Sequence, residues 1–162
     1  MNKAVYPGTF DPPHKGHVDV ATRASKVFGR LVIAVYDKPD VLFSTKERVD
    51  IFRQAVSHLS NVDVVSFAGL VAPDLVNDLN ASFVVRGLRA GIDFETEFEM
   101  ALMWRTLHPE VDVVCLMSAL QYQFVYSSRI KEVAKLGGDV KTLVPENVAE
   151  QMIIKYNSAS HQ

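Results

Sequence analysis

The chain is poor in cysteine, in net charge and in long apolar runs. Of its 162 residues only Cys115 is a cysteine. That excludes an intramolecular disulfide and a cysteine zinc cluster. Its neighbours Val113, Val114 and Leu116 are apolar, so a small buried role is expected for it. Lysine and arginine number 17 against 19 acidic residues, which leaves a net charge of -2 and a pI of about 6.2. A broad basic face for nucleic acid is therefore not expected, although a local cationic pocket fits. No apolar run is long enough to span a bilayer, and no secretory leader precedes the first apolar strand. The expectation is a cytoplasmic protein with no membrane or nucleic-acid partner. Repeats, low-complexity segments and linkers are also lacking. One domain over residues 1–162 follows, with a polar tail at 157–162 expected to fray.

What is present is alternation. Apolar, β-branched runs recur at 4–6, 31–36, 62–67, 83–85 and 111–117. Helical patterns separate them. Over 18–28, Ala21, Ala24, Val27 and Phe28 can share a face. Ser44 and Glu47 form a capping-box pattern ahead of Val49, Phe52, Val56 and Leu59 at core spacing. Pro73 suits the first turn of a helix ending near Leu79. Asp93 is expected to cap a helix carrying Phe94, Phe98, Ala101, Leu102 and Trp104. Helices are expected at 127–136 and 145–156, divided by Gly137-Gly138. The alternation predicts an α/β, Rossmann-like single domain: a five-stranded parallel sheet with helices on both faces. Ligands of such sheets bind at the strand C-terminal edge, where the strand order switches.

The polar clusters fall on that edge. Residues 5–17 read Val-Tyr-Pro-Gly-Thr-Phe-Asp-Pro-Pro-His-Lys-Gly-His. A strand breaks at Pro7-Gly8, two prolines stiffen the loop, and a helix starts near His14. A helix start offers unpaired N–H groups and the positive end of its dipole, which suits a phosphate. Thr9, Lys15 and the two histidines add donors. After the fourth run comes Arg86-Gly87-Leu88-Arg89-Ala90, in which two arginines three apart can grip phosphate oxygens. Asp93, Glu95, Glu97 and Glu99 suit a helix N-terminus electrostatically. The fifth run leads to Tyr122-Gln123-Phe124-Val125-Tyr126-Ser127-Ser128. Its serines can cap a helix or bind phosphate, and both can hold together.

Gly8-Thr9-Phe10-Asp11-Pro12 followed by His14-Lys15-Gly16-His17 resembles the signature of the (T/H)-x-G-H nucleotidyltransferase superfamily. The Arg86–Ala90 segment, Asp93-Phe94-Glu95-x-Glu97, and Ser127-Ser128-x-x-Lys131-Glu132-Val133 narrow the resemblance. So do Gly138-Asp139-Val140 and Pro145-Glu146-Asn147-Val148. Together they are similar to the bacterial phosphopantetheine adenylyltransferase family, over residues 6–148. Members transfer the adenylyl group of ATP to 4'-phosphopantetheine, giving dephospho-coenzyme A and pyrophosphate. By position, the resemblance implies ATP contacts from Thr9, Phe10, His17, Gly87, Leu88, Arg89 and Glu97. It implies further ATP contacts from Tyr122, Gln123, Phe124, Val125, Tyr126, Ser127 and Ser128. His17 would also stabilise the transition state. Thr9, Val71 and Arg86 would face the acceptor. The family's loop lysine has no counterpart at its usual place before Leu42-Phe43-Ser44, and Lys38 is the nearest candidate. The implied catalytic set is His17, Thr9, Arg89 and Lys38.

The acceptor phosphate of such a reaction is already an anion, so alignment and charge stabilisation suffice without a base or a covalent intermediate. Mg²⁺ is expected to bridge ATP phosphates, held by substrate and water with no protein ligand set. A zinc pair at His14 and His17 lacks a third ligand nearby. The same residues leave two other readings: another adenylyl- or cytidylyltransferase of this fold, or a non-catalytic nucleotide- or coenzyme A-binding module. By resemblance the chain is expected to form a homohexamer with coenzyme A as a feedback ligand. The apolar residues Phe98, Met100, Met103 and Trp104 suit either a subunit contact or the core.

Overall fold

A computed structural model describes residues 2–89 and 92–159. Strands β1 (Lys3–Gly8), β2 (Arg30–Tyr36), β3 (Val62–Phe67), β4 (Phe83–Leu88) and β5 (Asp112–Met117) form one sheet in the order β3-β2-β1-β4-β5. Every recorded pairing is parallel. Helices α1 (Lys15–Val27), α2 (Thr45–Ala55), α3 (Ala72–Asp78) and α4 (Ile92–Leu107) connect successive strands. A single 3-10 turn (Leu120–Tyr122) precedes α5 (Ser127–Lys135) and α6 (Val148–Ala159).

Strand alternation explains the two main cores. Ala4 and Tyr6 of β1 join Leu31, Ile33 and Val35 of β2 in a cluster covered by α1 and α2. The intervening Val5, Ala34 and Val84 face the other way, toward Leu75 and Val76 of α3 and Trp104 of α4. The helices therefore cover both faces, as the alternation predicts. A third cluster joins Phe43 and Ile51 to Val125, Ile130, Val148 and Met152. It fastens α5 and α6 beside the C-terminal edge of the sheet.

The strand order reverses between β1 and β4. β1 pairs with β2 over six positions, from Lys3↔Arg30 to Gly8↔Val35. Its pairing with β4 is recorded only at Ala4↔Phe83 and Val5↔Val84. Beyond that point a guanidinium takes over: Arg86 Nη1 donates to the Pro7 carbonyl at 3.2 Å. Tyr6–Gly8 and the end of β4 thus flank a crevice at the switch point.

Several local expectations shift. Helix α1 starts at Lys15, beside the start expected near His14, and His14 caps it. Its Val27 is 62% exposed, outside the shared face formed by Ala21, Ala24 and Phe28. Asp93 is the second residue of α4 and not its cap. On α4 only Trp104 of the expected apolar set is buried, while Phe94, Phe98 and Leu102 are exposed. Cys115 is exposed, against the buried role expected. β5 is an edge strand whose core contact on that face reaches Val113 and stops short of Cys115 and Met117. The last helix starts at Val148 and continues through Ala159, so 157–159 are helical, and residues 160–162 lie outside the described residues. Among the described residues no helix is long and apolar enough to cross a membrane.

Candidate active site

The β1–α1 loop is built inward. The Asp11–Pro12 peptide is cis, and Phe10 has φ of 50°, folding its ring back over Gly8. A Cβ on Gly8 would lie 2.7 Å from that ring. The ring cannot retreat, since it meets Tyr6, His17 and Phe52 edge-on with centroids 4.9–5.2 Å away. Glycine is therefore required there by close approach.

Helix α1 begins with two histidines that cap one another. The His17 N–H donates to His14 Nδ1 at 3.3 Å, and the His14 N–H donates to His17 Nδ1 at 3.2 Å. Their rings stack with centroids 3.5 Å apart. Each Nδ1 is an acceptor, so each neutral ring carries its proton on Nε2. His14 Nε2 is buried and has no partner among the described residues. Burial, then the Arg89 charge, pulls the His14 pKa down to about 3. Burial, followed by His14, Arg89 and Arg86, holds His17 well below the ordinary histidine value. Both rings are thus neutral N–H donors at physiological pH.

This neutrality has a stability signature. Above the ordinary histidine value of 6.5 neither the folded nor the unfolded chain protonates these rings. Below it the unfolded chain takes up protons that the folded chain refuses. Stability conferred by the neutral rings is therefore complete above that value and is lost as the pH falls toward the depressed folded values. The slope reaches about 1.4 kcal/mol per pH unit for each ring. Urea unfolding from about pH 7.5 to 5 is expected to show this fall, and His14→Asn, which keeps a capping acceptor, is expected to halve it. An undiminished slope in that variant would mean that the His14 ring is charged in the folded protein.

The helix N-terminus is less open than the sequence suggests. The Lys15 N–H is taken by the Leu143 carbonyl at 2.9 Å and that of His17 by His14. Donors at the site come instead from several elements. Arg86 grips Glu97 in a fork, with Nε and Nη2 each 2.6 Å from a carboxylate oxygen. Burial opposes its charge, but the bonds to Glu97 and that carboxylate's charge prevail and hold the Arg86 pKa above its ordinary value. Arg89 pairs with Asp93 at 2.6 Å, donates to the Val125 carbonyl at 3.2 Å and lies 3.9 Å over the Tyr126 ring. Tyr126, not a serine, is the N-cap residue of α5, and no side chain caps that helix. Ser127 Oγ instead donates to the Pro12 carbonyl at 2.9 Å. Among the described residues, Lys38 is the lysine or arginine of the site for which no carboxylate partner is recorded.

These groups line one cavity of about 460 Å³ at the switch point. Thr9, Phe10 and His17 reach it from β1–α1, and Lys38 from the loop after β2. Arg86, Gly87, Arg89 and Glu97 come from β4 and α4, and Tyr122, Tyr126, Ser127 and Ser128 from the approach to α5. The remaining expected residues stand apart from the lining. Val71 is half-exposed as the N-cap of α3, and Phe124 is exposed. Gln123 is not in the lining, and its Nε2 donates toward the Ser118 carbonyl at 3.5 Å. Leu88 is buried, and Val125 belongs to the third core and offers only its carbonyl to Arg89. Ala90 lies outside the described residues.

Sequence reasoning gave no role to two organising side chains, one of them the Asp11 of the first motif. Asp11 is buried, accepts from the Leu42 and Phe43 N–H groups at 3.0 and 2.9 Å, and pairs with Lys131 at 2.7 Å. Arg48 is fully buried under the loops. Its position was a usable signal, since an arginine four residues before Phe52 sits on the apolar face of α2.

A family model described as cytidylyltransferase-like matches residues 5–133. The phosphopantetheine adenylyltransferase of Thermomicrobium roseum is 49% identical over 162 residues, covering 97% of this chain and 96% of the relative. Those of Heliobacterium modesticaldum and Clostridium tetani are 48% and 43% identical, covering 96% and 98% of this chain and 94% and 99% of their own lengths. A solved structure from Vibrio parahaemolyticus, provisionally described as a nicotinate-nucleotide adenylyltransferase, superposes with a TM-score of 0.72. It is 18% identical and covers 96% of each chain, which is a likeness of fold alone.

Proposed function

Because the chain belongs to the phosphopantetheine adenylyltransferase family, we propose that its cavity carries out that family's reaction through the donors just described. The reaction transfers the adenylyl group of ATP to 4'-phosphopantetheine, yielding dephospho-coenzyme A and pyrophosphate in coenzyme A synthesis. The observation that carries the mechanism is the convergence of His17, Arg89 and Ser128 from separate elements on one cavity.

In this reading the acceptor phosphate attacks the α-phosphorus in line, with no base and no covalent intermediate. The neutral His17 donates its Nε2–H to the triphosphate as charge builds on the phosphoryl oxygens. Arg89, held over the Tyr126 ring, and the first turn of α5 at Ser127 and Ser128 take further oxygens. Thr9, Lys38 and Arg86 serve the acceptor side. Phe10, Gly87 and Glu97 line the ATP side. The site's chemistry fits Mg²⁺ held by phosphates and water: of the carboxylates lining the cavity, Asp11 and Glu97 already engage Lys131 and Arg86, which leaves only the exposed Asp40 without a recorded partner among the described residues. When bound, the ion neutralises phosphate charge.

We also propose a cytoplasmic homohexamer with coenzyme A as a feedback ligand. The exposed Phe94, Phe98 and Leu102 of α4, with Met117, support a surface covered by another copy.

The test is turnover with ATP, Mg²⁺ and a panel of acceptors, read as pyrophosphate release. Turnover of 4'-phosphopantetheine well above nicotinate mononucleotide and sugar-alcohol phosphates is expected. A preference for a nucleotide acceptor would move the chain to another transferase of this fold, and ATP binding without turnover would make it a binding module.

A further inference from the structure

Four polar groups at the C-terminal edge of the sheet depend on one guanidinium. Arg48 has no exposed surface, and among the described residues no carboxylate pairs with it. Burying such a charge is costly unless its hydrogen bonds are met. They are met here. Nη1 donates to the Thr9 carbonyl at 2.6 Å and to the Tyr36 carbonyl at 2.8 Å. Nε donates to the Phe43 carbonyl at 2.9 Å, and Nη2 donates to Thr45 Oγ1 at 2.9 Å. The Thr45 hydroxyl in turn donates a hydrogen bond to Asp37 Oδ1 at 2.5 Å. The fork thus reaches the end of β1, the end of β2 and both ends of the loop between β2 and α2.

That loop carries Lys38, Asp40 and Val41 into the cavity wall. Its far end is held again by Asp11, which accepts from the Leu42 and Phe43 N–H groups. Lys38 itself is exposed, and among the described residues no partner is recorded for its side chain. Its place relative to Thr9 is set from beneath, by Asp37 and Tyr36 through Arg48. A lysine could not reproduce this arrangement, since its donors radiate from one point while the four acceptors surround a planar fork.

We infer that Arg48 is a positioning residue for the transfer reaction: from outside the cavity it registers the Lys38 loop against Thr9, and so the acceptor against the bound nucleotide. The inference rests on the adenylyl-transfer reading above. A misplacement on the order of 1 Å at such a distance from the chemistry is enough to cost rate.

The experiment compares the full chain with Arg48→Lys, Lys38→Ala and the double variant. Arg48→Lys is expected to fold cooperatively, with acceptor KM raised about tenfold and the KM for ATP within about twofold. On top of Lys38→Ala, Arg48→Lys is expected to change acceptor KM by less than about twofold, because the loop it positions has lost its cation. Unchanged constants in Arg48→Lys, or an effect carried whole into the double variant, would overturn the inference. Amide hydrogen exchange supplies a readout independent of activity. Exchange across residues 37–44 is expected to accelerate in Arg48→Lys, with β1 and β2 unchanged. Acceleration throughout would mean that Arg48 serves stability alone. Should Arg48→Lys fail to fold, Thr45→Val removes the Nη2 acceptor together with the link to Asp37, and leaves the three bonds of Arg48 to backbone carbonyls in place. It is expected to raise acceptor KM severalfold, and no rise would overturn the inference. A wild-type chain inactive with every acceptor would sink the functional reading, while the exchange result would still decide the tether.

Discussion

His17→Ala is expected to lower kcat by about 10²–10³ while acceptor and ATP KM values move little. The ring is neutral because burial suppresses its protonation, and its Nδ1 is already spent on the His14 N–H. The Nε2–H is therefore a fixed donor, oriented before substrate arrives. A donor of that kind gains strength only as charge develops on the phosphoryl oxygens, so its loss falls on kcat. The structural cost is separate. Removing the ring frees the His14 N–H and loses the edge contact with Phe10, at about 1 kcal/mol of helix capping plus modest packing. Thermal melting should show a folded variant, and steady-state pyrophosphate release gives the rate. A kcat within a few-fold of wild type would take His17 out of the mechanism.

The strands were legible because β-branched apolar runs bounded by breakers have few other uses, and the Ser44–Glu47 capping box is present as expected. The start of α1 near His14 was legible too, but the way it is capped was not. Its cap is a histidine, a residue whose capping depends on a second histidine folding back on it. The candidate site could be read where its parts stand next to strand ends, as Thr9, Arg86 and Arg89 do. It could not be read where the work is done from behind. Asp11 and Arg48 act on backbone groups 31 or more residues away at Leu42, Phe43 and Thr9. The third core was equally hidden. Periodicity shows that α5 and α6 have apolar faces but not that Phe43 and Ile51 cover them. On α4 the same limit worked in reverse, since Phe94, Phe98 and Leu102 have core spacing but are left exposed among the described residues.

Arg86→Ala is expected to lose both stability and activity, and Glu97 allows the two to be separated. The guanidinium and the carboxylate are largely buried and meet through two bonds of 2.6 Å. Deleting the arginine strands a carboxylate and also removes the donor to Pro7 across the open part of the β1–β4 crevice. The cost is about 2 kcal/mol, reduced from that of a fully buried pair because both groups keep some solvent. Converting Glu97 to Gln removes the stranded charge. In Arg86→Ala with Glu97→Gln, most of the lost stability should therefore return in urea unfolding at neutral pH. Activity should not return, because kcat/KM for the acceptor needs the cation itself, and a fall of about 10²–10³ is expected in both variants. Glu97→Gln alone tests the converse. Its neutral amide leaves Arg86 less committed to the protein, so the acceptor phosphate competes against a weaker partner and acceptor KM should fall. If the double variant regains turnover together with stability, Arg86 is a strut of the crevice and not a ligand of the acceptor. If stability returns alone, the pair is a resting arrangement that the substrate's phosphate must open.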